Sequence, residues 1–219
     1  MQSDDKSDPA NRTSYHHGDL REALIGAVQQ LIEEDGAENF SLADACRRAK
    51  VSTAAPYKHF KDRDEILEII VMRAFDEMAD HAVAEIEKHG PGTKESMVAL
   101  GKSYVGFATT RPALFRLMFG QNPKINQAGD VQDEGRRCFG RVIEQVAIYC
   151  RSNNLEADAL NIATRLWSFV HGMASLIIDE KYQNVVPGLL KRQQISCRRR
   201  QKRCEHSRSG RTDCASVMH

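Results

Sequence analysis

Long hydrophobic runs are missing from this 219-residue sequence, and aromatic residues make up only 6% of it. The longest apolar stretch is residues 69–72, whereas a membrane-spanning helix needs roughly 18 apolar residues, so we expect no membrane partner. With 14 glycines, 6 prolines and no short repeat, the chain is neither collagen-like nor mucin-like, and its 41% apolar residues suffice for a core. Residues 1–11 carry three aspartates and no apolar stretch, which argues against a secretory signal and predicts a cytoplasmic protein.

Paired cysteine motifs are also absent from the sequence. None of the six cysteines forms a Cys-x-x-Cys motif, so neither a zinc site nor a thioredoxin-like dithiol is supported. We therefore expect no metal site and no cofactor. Cys46, Cys138 and Cys150 lie in segments with helical apolar spacing and are interpreted as small core residues in a reducing compartment.

The net charge of +1 conceals an uneven distribution along the chain. Residues 191–219 contain nine lysines and arginines against Glu205 and Asp213, and the rest of the chain has an acidic excess. This basic tail has almost no apolar residues and cannot form a core. We interpret it as a disordered extension or as the artefact of a shifted reading frame, with a nucleic-acid-binding arm as the alternative.

Apolar residues recur at helical spacing through most of the chain, and no segment alternates long enough to be a strand. The fold class is therefore predicted as all-α, with residues 1–14 a disordered arm and residues 121–129 a loop. Capping and breaking residues divide the remainder into helices. The predicted helices are about 20–35, 42–49, 53–59, 63–89, 93–109, 112–119, 131–151 and 156–181.

Two short helices joined by a tight turn are predicted near the N-terminus. Ser41 is a good N-cap for the first of them, with Asp44 in its first turn, and Ser52 can cap the second. This arrangement is a helix-turn-helix. Asp62, followed three residues later by Glu65, resembles a capping box that begins the next, long helix.

Residues 46–61 combine five lysines and arginines with no acidic residue. In an otherwise acidic body, this is where a polyanion would dock. Reading bases in a groove of DNA requires short side chains on an exposed helix face, which Thr53, Ala54 and Ala55 supply. The alternative interpretation is a helical hairpin whose basic face is merely solvated.

The stretch LIEEDGAENFSLADACRRAKVSTAAPYKHFKDRDEIL resembles the DNA-binding domain of TetR/AcrR-type bacterial repressors. The matching features are a glycine after the first helix, Phe40 before Ser41, and the Tyr57-x-x-Phe60 pattern before an acidic cap. The opening YHHGDLR and the string APYKHF are similar to one branch of that family, whose C-terminal domain is named for a Trp-His-Gly element. Here Trp167 is followed by His171 and a glycine, and the resemblance covers roughly residues 15–190.

The resemblance implies a helix-turn-helix DNA-binding domain over 15–62 and a helical ligand-binding and dimerisation domain over 63–190. It implies a homodimeric transcriptional repressor that binds a palindromic operator in double-stranded DNA and is released by a small-molecule effector. Within the DNA-facing segment, the resemblance implies that Thr53, Ala54, Ala55 and Lys58 approach bases. Tyr57, His59 and Lys61 would hold phosphates. The residues assigned to this interface are Ser41, Arg47, Arg48, Lys50, Ser52, Thr53, Ala54, Ala55, Tyr57, Lys58, His59 and Lys61.

Two residues depart from the family pattern inside the motif. Lys50 occupies the turn position where the family has glycine, and a positive φ there would strain lysine by about 1 kcal/mol while adding a cation near the phosphates. Pro56 lies inside the second motif helix and removes a backbone donor. We expect either a short, partly 3₁₀ helix or a helix that begins at Pro56 itself.

The C-terminal body carries no G-x-S-x-G, H-E-x-x-H or Walker A motif, so the chain is not expected to be an enzyme. Trp167 and His171 share one helix face, either as a core aromatic over a hydrogen-bonded histidine or as a pocket wall. The candidate pocket residues are Phe107, Phe115, Met118, Trp167 and His171. A different function remains open, namely a helical redox or metal sensor that acts through Cys46, Cys138 or Cys150.

Overall fold

The computed structural model describes residues 9–120 and 122–182, with side chains from residue 20 onward. No β-strand occurs within these ranges, which confirms the all-α fold class. The helices are α1 (Pro9–Asp35), α2 (Leu42–Arg48), α3 (Arg63–His89), α4 (Lys94–Thr110), α5 (Pro112–Phe119), α6 (Pro123–Gln127), α7 (Gly129–Ser152) and α8 (Ala159–Ile178), with a 3₁₀ helix at Pro56–Lys58. None of the helices described is both long and apolar enough to cross a bilayer.

The chain divides into two compact units, Met1–Ala174 and Ser175–His219, and the second is described only for residues 175–182. In the first unit, α3 is the central helix and packs against α1, α4, α5, α6 and α7. Its apolar positions recur at helical spacing, so Ile66, Ile70 and Ala74 all face the interior and are fully buried. On α1, Leu24, Val28 and neighbouring apolar residues are likewise buried.

The predicted helix starts are confirmed by their cap hydrogen bonds. The backbone N–H of Asp44 donates to the Ser41 hydroxyl at 3.1 Å, and that of Glu65 donates to the Asp62 carboxylate at 2.9 Å. A side chain at the N-cap satisfies a backbone donor that has no partner inside the helix, which is why these residues begin helices. At the other end of α1, Gly36 has φ +86°, as expected for a glycine that terminates a helix.

Several predicted boundaries are wrong. Helix α1 begins at Pro9 rather than near residue 20, so residues 9–14 of the predicted disordered arm are helical; proline is accommodated in a first helical turn because its missing N–H would have no partner there. The predicted loop over 121–129 contains the short helix α6, again opened by a proline. Residues 1–8 and the basic tail 191–219 lie outside the described residues.

Candidate nucleic-acid interface and aromatic cluster

The turn after α2 holds a lysine in a left-handed backbone conformation. Lys50 has φ +57°, which matches the expectation for this glycine-like position and costs about 1 kcal/mol for an L side chain. The backbone N–H of Val51 donates to Cys46 O at 2.9 Å and closes the end of α2. The chain therefore reverses at Lys50, and its side chain is exposed.

The second motif helix is much shorter than the predicted helix over 53–59. Only Pro56–Lys58 is helical there. The segment is a short 3₁₀ helix, as the first expectation for Pro56 had it, and it begins at Pro56 itself, as the alternative had it. The N–H groups of His59 and Phe60 donate to Pro56 O, each at 2.9 Å. Because Pro56 and Phe60 are buried, this helix is fixed to the core and the side chain of Tyr57, 70% exposed, points to solvent.

Most of the predicted interface residues are on the surface. Ser41, Lys50, Ser52, Thr53, Ala54, Tyr57, Lys58 and Lys61 are all exposed. Ala55 is the exception, because its side chain is only 6% exposed and packs in the core, so it cannot present a methyl group to a base. His59 is half-buried, and its ring lies 6.4 Å from that of Phe60.

The two arginines at the end of α2 are held by carboxylates. Arg47 pairs with Asp44 at 2.5 Å, and Arg48 makes a bidentate pair with Glu34 of α1 at 2.8 and 2.6 Å. The Arg48 hydrogen bonds lower the pKa of Glu34. Arg48 therefore joins α2 to α1, whereas the exposed Lys50 is in no ion pair within the described part of the chain.

Two further arginines fix the motif against its neighbours, and the sequence reasoning missed both. The Arg63 guanidinium lies 4.4 Å from the centre of the Phe40 ring and donates to Ala37 O. The Arg21 guanidinium lies 5.3 Å from the Phe60 ring. Cations over aromatic faces stabilise a fold by about 0.5–1 kcal/mol at partly exposed sites. No local periodicity marks such pairs, because their members lie on different elements.

Six rings from four helices form a second candidate site, here called the aromatic cluster. Phe119 lies 4.9 Å from Phe115 and 5.0 Å from His171 between ring centres, and Phe139 lies 5.5 Å from Trp167. These spacings are typical of favourable aromatic contacts. The cluster consists of Tyr104 on α4, Phe115 and Phe119 on α5, Phe139 on α7, and Trp167 and His171 on α8.

A chain of hydrogen bonds crosses the aromatic cluster. Trp167 Nε1 donates to the Tyr104 hydroxyl oxygen at 3.2 Å, and that hydroxyl lies 2.8 Å from His171 Nδ1. Since an indole N–H can only donate, the Tyr104 oxygen accepts from Trp167, and the same hydroxyl is within hydrogen-bonding distance of His171 Nδ1. Burial raises the pKa of Tyr104 and lowers that of His171, so both groups stay neutral.

The structure brings three of the five predicted pocket residues together. Phe115, Trp167 and His171 are in the cluster. Phe107 and Met118 are buried, as Phe115 is, but they are not members of the cluster. The Phe107 ring lies beneath Arg111 instead, 5.8 Å from its guanidinium carbon. Sequence reasoning missed Tyr104 and Phe139, since both look like ordinary apolar-face residues until the partner helices are placed.

The cysteines do not support a redox or metal sensor. Cys46 and Cys150 are buried, and burial raises the pKa of the Cys46 and Cys138 thiols, which disfavours the reactive thiolate. Among the described residues, no group of three histidines, cysteines or carboxylates is placed to hold a metal ion.

Both parts of the chain match family models. Residues 24–70 match the model for bacterial regulatory proteins of the tetR family, and residues 97–189 match the model for tetracyclin repressor-like C-terminal domains. A nucleoid occlusion factor SlmA from Pectobacterium carotovorum is 25% identical over 172 residues, which cover 74% of this chain and 85% of that protein.

Solved structures share the fold. A protein of unknown function from Rhodococcus sp. RHA1 has a TM-score of 0.67 at 29% identity and covers 76% of this chain and 86% of its own. The transcriptional regulator FadR from Bacillus subtilis, in complex with stearoyl-CoA, has a TM-score of 0.62 at 12% identity. The match covers 73% of this chain and 88% of the FadR chain. The second similarity is one of fold alone.

Proposed function

The chain belongs to the TetR family of bacterial regulatory proteins and is a DNA-binding transcriptional regulator, and on that premise we propose how it binds DNA. The surface formed by the turn at Lys50 and the 3₁₀ helix enters the major groove. Thr53, Ala54 and Lys58 approach base edges, and Tyr57 and Lys61 donate to phosphates. The observation that carries this proposal is the exposure of these side chains on and beside a short helix that the buried Pro56 and Phe60 hold against the core.

We infer that the functional form is a homodimer assembled through α8. This helix exposes large apolar side chains, including Leu160, Leu166 and Phe169, the last at 68% exposure. A monomer rarely leaves such a face in water, and a two-fold axis would cover it with its own copy. Two recognition units then lie about 34 Å apart, one turn of DNA, which fits a palindromic operator.

The aromatic cluster is proposed as the place where a small-molecule effector acts. A ligand that binds one arrangement of these rings better than another shifts the dimer away from its DNA-bound form, and this is how a repressor is released. Trp167, His171 and the following glycine fit the Trp-His-Gly branch of the family. We propose that residues 15–62 form the DNA-binding domain and that residues 63–190 form the domain that binds the effector and the second subunit. We further propose that the protein is cytoplasmic and catalyses no reaction.

Selection of bound duplexes from a random DNA pool, using the full chain, tests the DNA-binding proposal. We expect a palindromic sequence to be enriched, with Tyr57→Ala and Lys58→Ala each weakening its binding by about tenfold. Analytical ultracentrifugation should find both variants assembled like the wild type. Unchanged affinity in both variants, or no enriched duplex at low salt, would contradict the proposed interface.

A second candidate role follows from the similarity to SlmA, whose name describes nucleoid occlusion. A regulator of a few promoters and a nucleoid-wide factor differ in how their sites are distributed. Chromatin immunoprecipitation with the full chain separates them: a few promoter-proximal sites favour local regulation, and many sites spread along the chromosome favour the second role.

A further inference from the structure

Arg111 occupies the corner between α4 and α5. Its backbone N–H donates to Phe107 O in the last turn of α4, and its carbonyl accepts from the Phe115 N–H in α5, both at 2.9 Å. Its backbone, at φ −132° and ψ 61°, belongs to neither helix. A movement of either helix is therefore transmitted to this residue.

The side chain of Arg111 leaves this corner and bridges two carboxylates from other helices. Its Nε lies 3.5 Å from Glu33 Oε1 on α1, and its Nη1 contacts Glu77 on α3. The guanidinium is only 23% exposed, so solvent screens these attractions weakly. Without the cation, two carboxylates would face each other in a half-buried site.

Glu33 faces the start of α5 as well as Arg111. Its carboxylate is close to the backbone N–H groups of Leu114 and Ala113, in the first turn of that helix. Burial raises the pKa of Glu33, while Arg111 and the two amides oppose that rise. The start of α5 is thus joined to α1 by the ion pair between Arg111 and Glu33.

The neighbouring residue of α1 continues the connection into the DNA-binding motif. Glu34 makes the bidentate pair with Arg48 at the end of α2, directly before the turn at Lys50. In the other direction, Phe115 lies one helical turn after Arg111, with ring centres 5.3 Å from His171 and 5.7 Å from Tyr104. A continuous series of contacts therefore runs from the aromatic cluster to the proposed DNA surface.

We propose that Arg111 is the positioning residue that couples the aromatic cluster to the DNA-binding motif, through its contact with Glu33. This inference rests on the proposed function, because it assigns the route by which effector binding and DNA binding affect each other. Coupling between two sites is reciprocal. If an effector bound at the cluster changes the affinity for DNA, then DNA binding must change the affinity of the cluster for the effector, and with it the arrangement of the rings.

The reciprocity gives a test that needs no effector. Trp167 is the single tryptophan of the chain and belongs to the cluster, so its emission reports on that site. The probe is the duplex selected by the full-length wild type, titrated into the protein with binding followed separately by anisotropy of a labelled duplex. Sedimentation verifies that the oligomeric state stays constant.

The variants are Arg111→Met, Glu33→Gln and, as the matched control, Arg73→Met. Arg73 also pairs with α1, through a bidentate contact with Glu22 at 2.7 Å for both bonds, but it lies on α3 and has no backbone link to α5. Glu33→Gln preserves the shape of the carboxyl group. If Arg111→Met does not fold, this variant still tests the contact between Arg111 and Glu33. Arg111→Lys, which keeps the charge, should restore part of the response.

We expect duplex binding to change Trp167 emission in the wild type and in Arg73→Met. The change should disappear in Arg111→Met and fall by at least about half in Glu33→Gln while both variants still bind duplex. The proposal would be overturned if both of these variants showed the wild-type change in Trp167 emission. It would also be overturned if Arg73→Met lost as much of that change as they do, or if the wild type showed no change at saturating duplex. Failure of the wild type to bind any duplex instead rejects the proposed function.

Discussion

The hydroxyl of Tyr104 and Nδ1 of His171 lie 2.8 Å apart, although 67 residues separate them in the sequence. The same hydroxyl accepts a hydrogen bond from Trp167. One hydroxyl therefore contacts two ring nitrogens of α8, one on the exposed Trp167 and one on the half-buried His171.

Removing this oxygen should destabilise the fold. In Tyr104→Phe, the exposed Trp167 N–H and the half-buried His171 Nδ1 both lose a partner, so we expect the free energy of unfolding to fall by about 0.5–1.5 kcal/mol. Urea titration followed by circular dichroism measures this change. The control is Tyr57→Phe, since that hydroxyl is on an exposed side chain; equal losses in both variants would contradict the structural role of Tyr104.

Acidification should weaken the wild type through His171. Burial lowers the pKa of His171 in the folded state, so the unfolded chain binds its proton first. The stabilising contribution of this residue is full above the ordinary histidine pKa of about 6.5 and is lost as the pH falls through the lower, folded value. Unfolding free energies measured between these limits should decline less steeply for His171→Gln than for the wild type, and identical pH profiles would refute the prediction.

Replacing Lys50 by glycine should separate folding from DNA binding. The left-handed backbone favours glycine, so Lys50→Gly should raise the free energy of unfolding by up to about 1 kcal/mol. The loss of a cation should weaken DNA binding and reduce the slope of log K against log salt by about one. Asn154→Gly is the matched control, because Asn154 has φ +53° at the end of α7 and should gain stability with an unchanged salt slope.

Charges near the motif should differ in their effect on salt dependence. Lys61 is exposed, so Lys61→Gln should reduce the salt slope by about one. Arg48 is engaged by Glu34, so Arg48→Gln should leave the slope unchanged and lower the free energy of unfolding only slightly. Filter-binding titrations over a range of salt concentrations decide this, and a reduced slope in Arg48→Gln would place that arginine on a phosphate.

Local signals in the sequence predicted a large part of the fold. The caps at Ser41 and Asp62, the stop at Gly36 and the positive φ at Lys50 each depend on a few neighbouring residues. The start of α1 at Pro9 was missed because polar residues there gave no apolar face, and helix propensity alone is a weak guide.

The candidate sites were predictable to a lesser degree, because their decisive contacts are long-range. Sequence placed Arg48 at a DNA surface, whereas its partner Glu34 lies 14 residues earlier on another helix. The sequence predicted that Ala55 contacts a base. In the structure Pro56 and Phe60 are buried, and the side chain of Ala55 is buried with them. Similarly, nothing in the spacing of α4 marks Tyr104 as the residue whose hydroxyl accepts a hydrogen bond from Trp167 and contacts Nδ1 of His171.

The 3₁₀ helix adds only three residues to the short turn that carries Thr53 and Ala54, which limits how much operator sequence one copy of the chain can read. A single turn presents few side chains to the base edges, and each good contact discriminates by about 1–3 kcal/mol. The proposed homodimer would read two half-sites together, and the choice of one site in a genome would also depend on how easily the intervening DNA bends or twists. The operator should therefore show short, strongly preferred half-sites flanking a spacer whose composition affects affinity without being touched.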